Sequence, residues 1–153
     1  MKKKQQILID QLEQKLMTFY MSDNVSVPPK GWINTIRTTL NMTLEQLGKK
    51  LDISRQGAKK IEESEVKGSA TLNSLKAAAE AMDMKLVYGF VPKHGSIEKL
   101  IEEKARAMAE KIVWRTHQHM VLEDQAMEYG KVNNAVDDLA KELKDEMNKL
   151  IWE

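Results

Sequence analysis

Thr43–Glu62, read TLEQLGKKLDISRQGAKKIE, constrains this 153-residue chain more than any other stretch. Leu44, Leu47 and Leu51 recur at helical spacing and lay down one apolar stripe. Thr43 offers the oxygen that a helix N-cap needs, and Gln46 three positions later completes a capping box. Gly48 falls inside this helix, where glycine costs about 0.5–1 kcal/mol relative to alanine. Close packing of a neighbouring segment accounts for such a cost. Asp52 and Ile53 form a turn, with Ile53 as an apolar plug between two helices. Ser54 caps a second helix, on which Ala58 and Ile61 face inward while Arg55, Gln56, Lys59 and Lys60 face outward.

Two short helices joined by a tight turn, the second polar and basic, form the pattern of a helix-turn-helix. The side-chain chemistry agrees. Arginine and lysine bond guanine O6 and N7, and glutamine bonds adenine N6 and N7. Arg55, Gln56 and Lys60 are therefore the expected base contacts, with Gly57 allowing close approach of the backbone. Thr43, Ser54, Lys59 and Lys67 suit phosphates. An ordinary pair of solvated surface helices would carry similar charges, so the flanks matter. Trp32, Ile33, Ile36 and Leu40 give a preceding amphipathic helix. Leu72, Leu75, Ala78, Ala79 and Met82 give a following one, capped by Ser69 or Thr71. Four helices across about Gly31–Asp83 can enclose a small core.

The block IR, MTLEQLGKKLDIS, RQGAKKIE and SATLNSLKAAAEAMD resembles the Cro/C1-type (Xre) helix-turn-helix family of phage repressors and bacterial regulators. The resemblance implies a lambda-repressor-like core. It also implies a structural clamp, because Arg37 and Glu62 stand where that family pairs an arginine with a glutamate. Two positions depart from the family pattern. Leu44 replaces a phosphate-contacting glutamine, and Gly48 replaces alanine. PPKGWINTIR, ISRQ, GSATLNSLKAAAEAMDMKLVYGFVP and the later THQHMVLEDQ are further similar to the family called mobile mystery protein A, over about Pro28–Gln125. That likeness implies an autoregulatory, antitoxin-like component of a two-gene module, with a Fic/DOC-type protein as partner.

The net charge of +1 is uninformative until it is mapped. Lys30–Lys67 holds eight basic and five acidic residues, a net +3. Asp137, Asp138, Glu142, Asp145 and Glu146 crowd one segment of an acidic tail. A basic head and an acidic far end fit a molecule that approaches double-stranded DNA with one end. Without cysteine there is no disulfide and no thiolate metal site. No apolar run approaches the roughly 18–20 residues that span a bilayer. Basic Lys2–Lys4 are not followed by a signal-peptide core. A cytoplasmic protein without membrane association is the expectation.

Outside the core, Ile7, Leu8, Leu12, Leu16 and Phe19 mark a helix over Gln5–Tyr20, and SDNVSVPPK at Ser22–Lys30 reads as a linker. Met84–Val91 (MKLVYGFV) changes period and reads as a β-strand. Such a strand needs a mate, from a second subunit on a twofold axis or from the N-terminal arm. Ser96 caps a long helix, and Tyr129–Lys131 reads as a turn. Val132, Val136, Leu139, Leu143, Met147 and Leu150 give a near-heptad seam on a last helix, about Val132–Trp152. That seam suits packing against the long helix or a second chain.

The expected fold is thus mainly α: a four-helix core, one strand after it, and extra terminal helices. The expected division is 1–27 as N-terminal helix and linker, 28–92 as helix-turn-helix domain with strand, and 93–153 as a helical region for dimerisation or partner binding.

Competing chemistry is thin. His117 and His119, with Glu123 and Asp124, are the only cluster of metal-ligating types, but residues two apart point to different sides of a helix. No metal site or cofactor is assigned. A Gly-rich phosphate loop, a G-x-S-x-G elbow and a cysteine nucleophile are all missing from the sequence, so an enzyme is not expected. A homodimer reading DNA is the leading expectation. The rival is an interaction module whose main role is to bind and restrain a partner toxin.

Overall fold

The computed structural model describes residues 2–22, 24–122 and 129–153. Its described residues form seven α-helices: α1 (Lys2–Tyr20), α2 (Trp32–Thr39), α3 (Leu44–Lys50), α4 (Arg55–Lys67), α5 (Leu72–Ala81), α6 (Ile97–Leu122) and α7 (Tyr129–Glu146). A 3-10 turn follows at Lys149–Trp152. They divide into two compact units, Asn24–Gly89 and a second made of Met1–Asp23 with Phe90–Glu153.

The Asn24–Gly89 unit has its own core of Ile33, Leu47, Ala58, Ala78 and Met82, with Ile36, Leu44, Leu51, Ile61 and Leu75 packed around it. Local signals start and stop its helices. Thr43 and Gln46 form the complete capping box on α3. Ser54 Oγ accepts from Gly57 N–H on α4, and Thr71 Oγ1 accepts from Ser74 N–H on α5. Asn41, Asp52 and Asp83 each sit just past a helix end at positive φ. At each, the next residue's N–H reaches back to a carbonyl one turn earlier, as in Met42 to Arg37, Ile53 to Gly48 and Met84 to Ala79. These are Schellman closures, built on Asn and Asp rather than glycine.

The expected β-strand at Met84–Val91 is not formed, and no strand occurs among the described residues. A strand is defined by its ladder, and no described residue pairs with the segment. Met84 N–H is spent closing α5. Val87 and Tyr88 remain 67% and 57% exposed, and Lys76 Nζ lies 5.9 Å from the Tyr88 ring centre. β-Branched and aromatic residues alone do not make a strand without a mate.

The second unit packs α6 and α7 around Ile101, Ala105, Met108, Ala109, Val113, Val132, Val136 and Leu143, with Ile9 of α1 and Ile151. Ser96 Oγ caps α6 through Lys99 N–H. Glu13 of α1 accepts from Ile97 N–H at the same helix start and from the Tyr20 hydroxyl. That hydroxyl bond to a carboxylate, with burial second and the charge of Glu13 third, pushes the Tyr20 phenol up to about 12. The Tyr129–Lys131 segment lies inside the first turn of α7 rather than forming a turn. The heptad seam also breaks. Met147 takes a positive φ, Asn148 restarts the chain as a 3-10 turn, and Ile151 is buried in place of Leu150. No described helix is long and apolar enough to cross a membrane.

Candidate nucleic-acid interface

The turn between α3 and α4 is closed by backbone. Ile53 N–H donates to Gly48 C=O at 2.9 Å, and Asp52 N–H to Lys49 C=O at 3.2 Å. A Cβ added at Gly48 would lie 2.8 Å from the Ile53 carbonyl oxygen and 3.0 Å from that of Ser54. The mid-helix glycine is therefore needed where the turn crosses its own helix. Ile53 is less of a plug than its sequence position suggests. It packs on Gly57, where a Cβ would lie 3.3 Å from it, yet it stays 38% exposed. Gly57 thus has a neighbour within the chain, apart from any approach to DNA. Leu44, which stands where the sequence resemblance implies a phosphate-contacting glutamine, packs onto the core.

Two carboxylates on the underside of α4 dock it on α2. Glu62 is 7% exposed and faces Arg37, 9% exposed. Arg37 Nε donates to Glu62 Oε1, Nη2 donates to Oε2 at 3.3 Å, and Nη1 donates to Met42 C=O at 2.8 Å. Asn34 Nδ2 adds a bond to Glu62 Oε2 at 2.9 Å. The guanidinium and the carboxylate are each held by more than their mutual charge, as a buried pair must be.

Glu65, one turn further on, has a role that sequence reasoning missed. Its oxygens accept from Trp32 N–H at 2.7 Å and Ile33 N–H at 2.8 Å. It is a cap for α2 supplied by another helix, placed where the helix dipole favours negative charge. The N-cap residue itself, Gly31, has no side chain and a φ of 83°, and a Cβ there would lie 2.9 Å from the Glu65 carboxyl carbon. Glycine at an N-cap was the only local hint. The partner lies more than thirty residues away, beyond the reach of any motif.

What remains on the outer face of α4 is uncommitted. Arg55, Gln56, Lys59, Lys60 and Lys67 are all exposed. None of their side chains bonds or pairs with another described residue. Thr43 and Ser54 are exposed as well. Their oxygens accept cap bonds from Gln46 N–H and Gly57 N–H, which leaves each hydroxyl proton free to donate outward. Setting aside Arg37, Glu62 and Glu65, Lys30–Lys67 presents seven cations against Glu45, Asp52 and Glu63. The face is more positive than the sequence sum implies. Its chemistry is that of polyanion contact by lysine and arginine, with glutamine and arginine able to read base edges.

No group of three or more metal-ligating side chains gathers among the described residues. Glu123 and Asp124 lie outside them. His117 sits edge-on to Trp114, with ring centres 5.3 Å apart, and its Nδ1 is buried with no hydrogen-bond partner among the described residues. Searches of curated proteins and of solved structures each found no match. Residues 33–88, which run from the second residue of α2 to beyond the end of α5, match the family model described as helix-turn-helix.

Proposed function

We propose that this chain is a sequence-specific DNA-binding transcriptional regulator, with α4 as the helix that enters the major groove. The observation that carries the reading is the outer face of α4. Five exposed polar and cationic side chains there have no partner among the described residues, while the opposite face is fixed by Ala58, Ile61 and the Arg37–Glu62 pair. Arg55, Gln56 and Lys60 are assigned to bases, and Thr43, Ser54, Lys59 and Lys67 to phosphates. Acting as a homodimer, the protein would present two copies of α4 about 34 Å apart and read a pseudo-palindromic site with half-sites about 10 bp apart.

The test is selection from random duplex DNA, followed by titration of the enriched site at several salt concentrations. A defined site should emerge, and log K should fall against log salt with a slope of about −0.9 for each phosphate neutralised. Failure to enrich any sequence refutes the proposal.

A second reading rests on the compact unit formed by α1, α6 and α7, which lies outside the helix-turn-helix match and has a core of its own. That unit gives the chain a body for dimerisation or for docking another protein. The resemblance to mobile mystery protein A supports an autorepressor with an antitoxin-like role toward a Fic/DOC-type partner. Copurification with that partner, lost on deleting 96–153 while operator affinity is kept, would favour the docking role. Loss of operator affinity with the deletion would assign the unit to dimerisation.

A further inference from the structure

We propose that Glu63 is a fourth base-reading side chain, selecting an amino-bearing base edge, cytosine above all, two to three base pairs beyond the base read by Gln56. The proposal rests on α4 being the groove-entering helix. Lys59, Lys60 and Glu63 lie three, four and seven positions after Gln56, so the four share one ridge of α4. Ala58, Ile61, Glu62 and Glu65 occupy the other side, where they meet the core and α2.

Seven residues rise about 10.5 Å, close to three steps of about 3.4 Å along the duplex. In zinc fingers, helix residues spread over the same span contact three successive bases. A side chain two turns past Gln56 therefore remains within reach of base edges.

The state of the carboxylate matters as much as its place. Glu62 is committed to Arg37 and Asn34, and Glu65 to two backbone N–H groups. Glu63 is exposed and makes no hydrogen bond or ion pair with any described residue. Lys59 and Lys67, four residues either side of it, are at the spacing where pairs form, yet neither engages it. A free anion thus sits in the middle of a cationic ridge.

A carboxylate can only accept. In the major groove guanine N7 and O6, adenine N7 and thymine O4 are acceptors, so they repel it. Cytosine N4 donates without an adjacent acceptor on the same base edge, whereas the adenine amino group stands beside N7. Glu63 would therefore reject wrong bases as well as favour the right one.

The experiment is duplex selection from a randomised pool with the full chain in three forms: wild type, Glu63→Gln and Glu63→Ala. Circular dichroism confirms that each is folded. Wild type should prefer cytosine at one position of each half-site by roughly five- to a hundredfold, the discrimination of one good base contact. Glu63→Gln should move that position to adenine, and Glu63→Ala should leave it without preference, while other positions keep theirs. The proposal is overturned if cytosine survives in Glu63→Ala. It is also overturned if both variants bind every duplex more tightly and to the same degree, since Glu63 would then only repel phosphates. A wild-type chain that enriches no sequence refutes the DNA-reading assignment itself, a failure visible before any variant is compared.

Discussion

Glu62→Ala should come close to unfolding the helix-turn-helix unit. The substitution removes both of Arg37's bonds to the carboxylate and the bond from Asn34 Nδ2. Arg37 keeps only Met42 C=O, at a site where it is 9% exposed. A guanidinium left buried without its counter-charge costs about 3–5 kcal/mol. Asn24–Gly89 is a short unit, and at about 0.05–0.15 kcal/mol per residue its total stability is roughly 3–10 kcal/mol. The loss is thus a large share of the whole. The double substitution Arg37→Met/Glu62→Leu removes both charges and fills the space. It should restore stability to within about 1–2 kcal/mol of wild type, because well-packed apolar residues replace buried pairs at little cost. Urea titration followed by hydrogen exchange at α4 amides reports this unit apart from the other. A cost below about 1 kcal/mol for Glu62→Ala, or a double variant no better than the single, would refute the reasoning.

Gly31→Ala should destabilise the same unit by about 1–3 kcal/mol, since it combines a left-handed backbone with a Cβ pressed against the Glu65 carboxyl group. Thermal unfolding of the variant checks this, and Glu65→Ala should lose about 1–2 kcal/mol through the missing cap. In the other unit, the Tyr20 phenol is raised from 10.0 to about 12. Its protonated form is therefore favoured by folding. The stability it contributes is complete below pH 10 and disappears as the pH climbs through 12. Tyr20→Phe should abolish that part of the alkaline loss, measured as stability against pH.

The helix-turn-helix was legible because its signals are local. The Thr43/Gln46 box, the Ser54 cap and the Ala58 and Ile61 spacing lie within one turn of what they control. Long-range partners were not legible. Nothing near Trp32 announces that Glu65 caps it, and nothing near Ile97 announces Glu13. Periodicity also misled where its phase is not preserved. In α1 the buried residue is Ile9, while Ile7, Leu8 and Leu12 of the sequence stripe remain exposed. After the break at Met147 the seam passes to Ile151. Met84–Val91 has strand composition, but composition does not provide a neighbour to pair with.

Competition binding on an enriched duplex, wild type against Arg55→Ala at fixed salt with scrambled duplex as competitor, decides whether α4 reads sequence. Wild type should discriminate strongly. Arg55→Ala should lose about 1–3 kcal/mol on the enriched site and little on the scrambled one, narrowing the ratio. Equal weakening on both duplexes would make Arg55 a phosphate contact, and equal wild-type affinity for both would contradict base reading by this helix altogether.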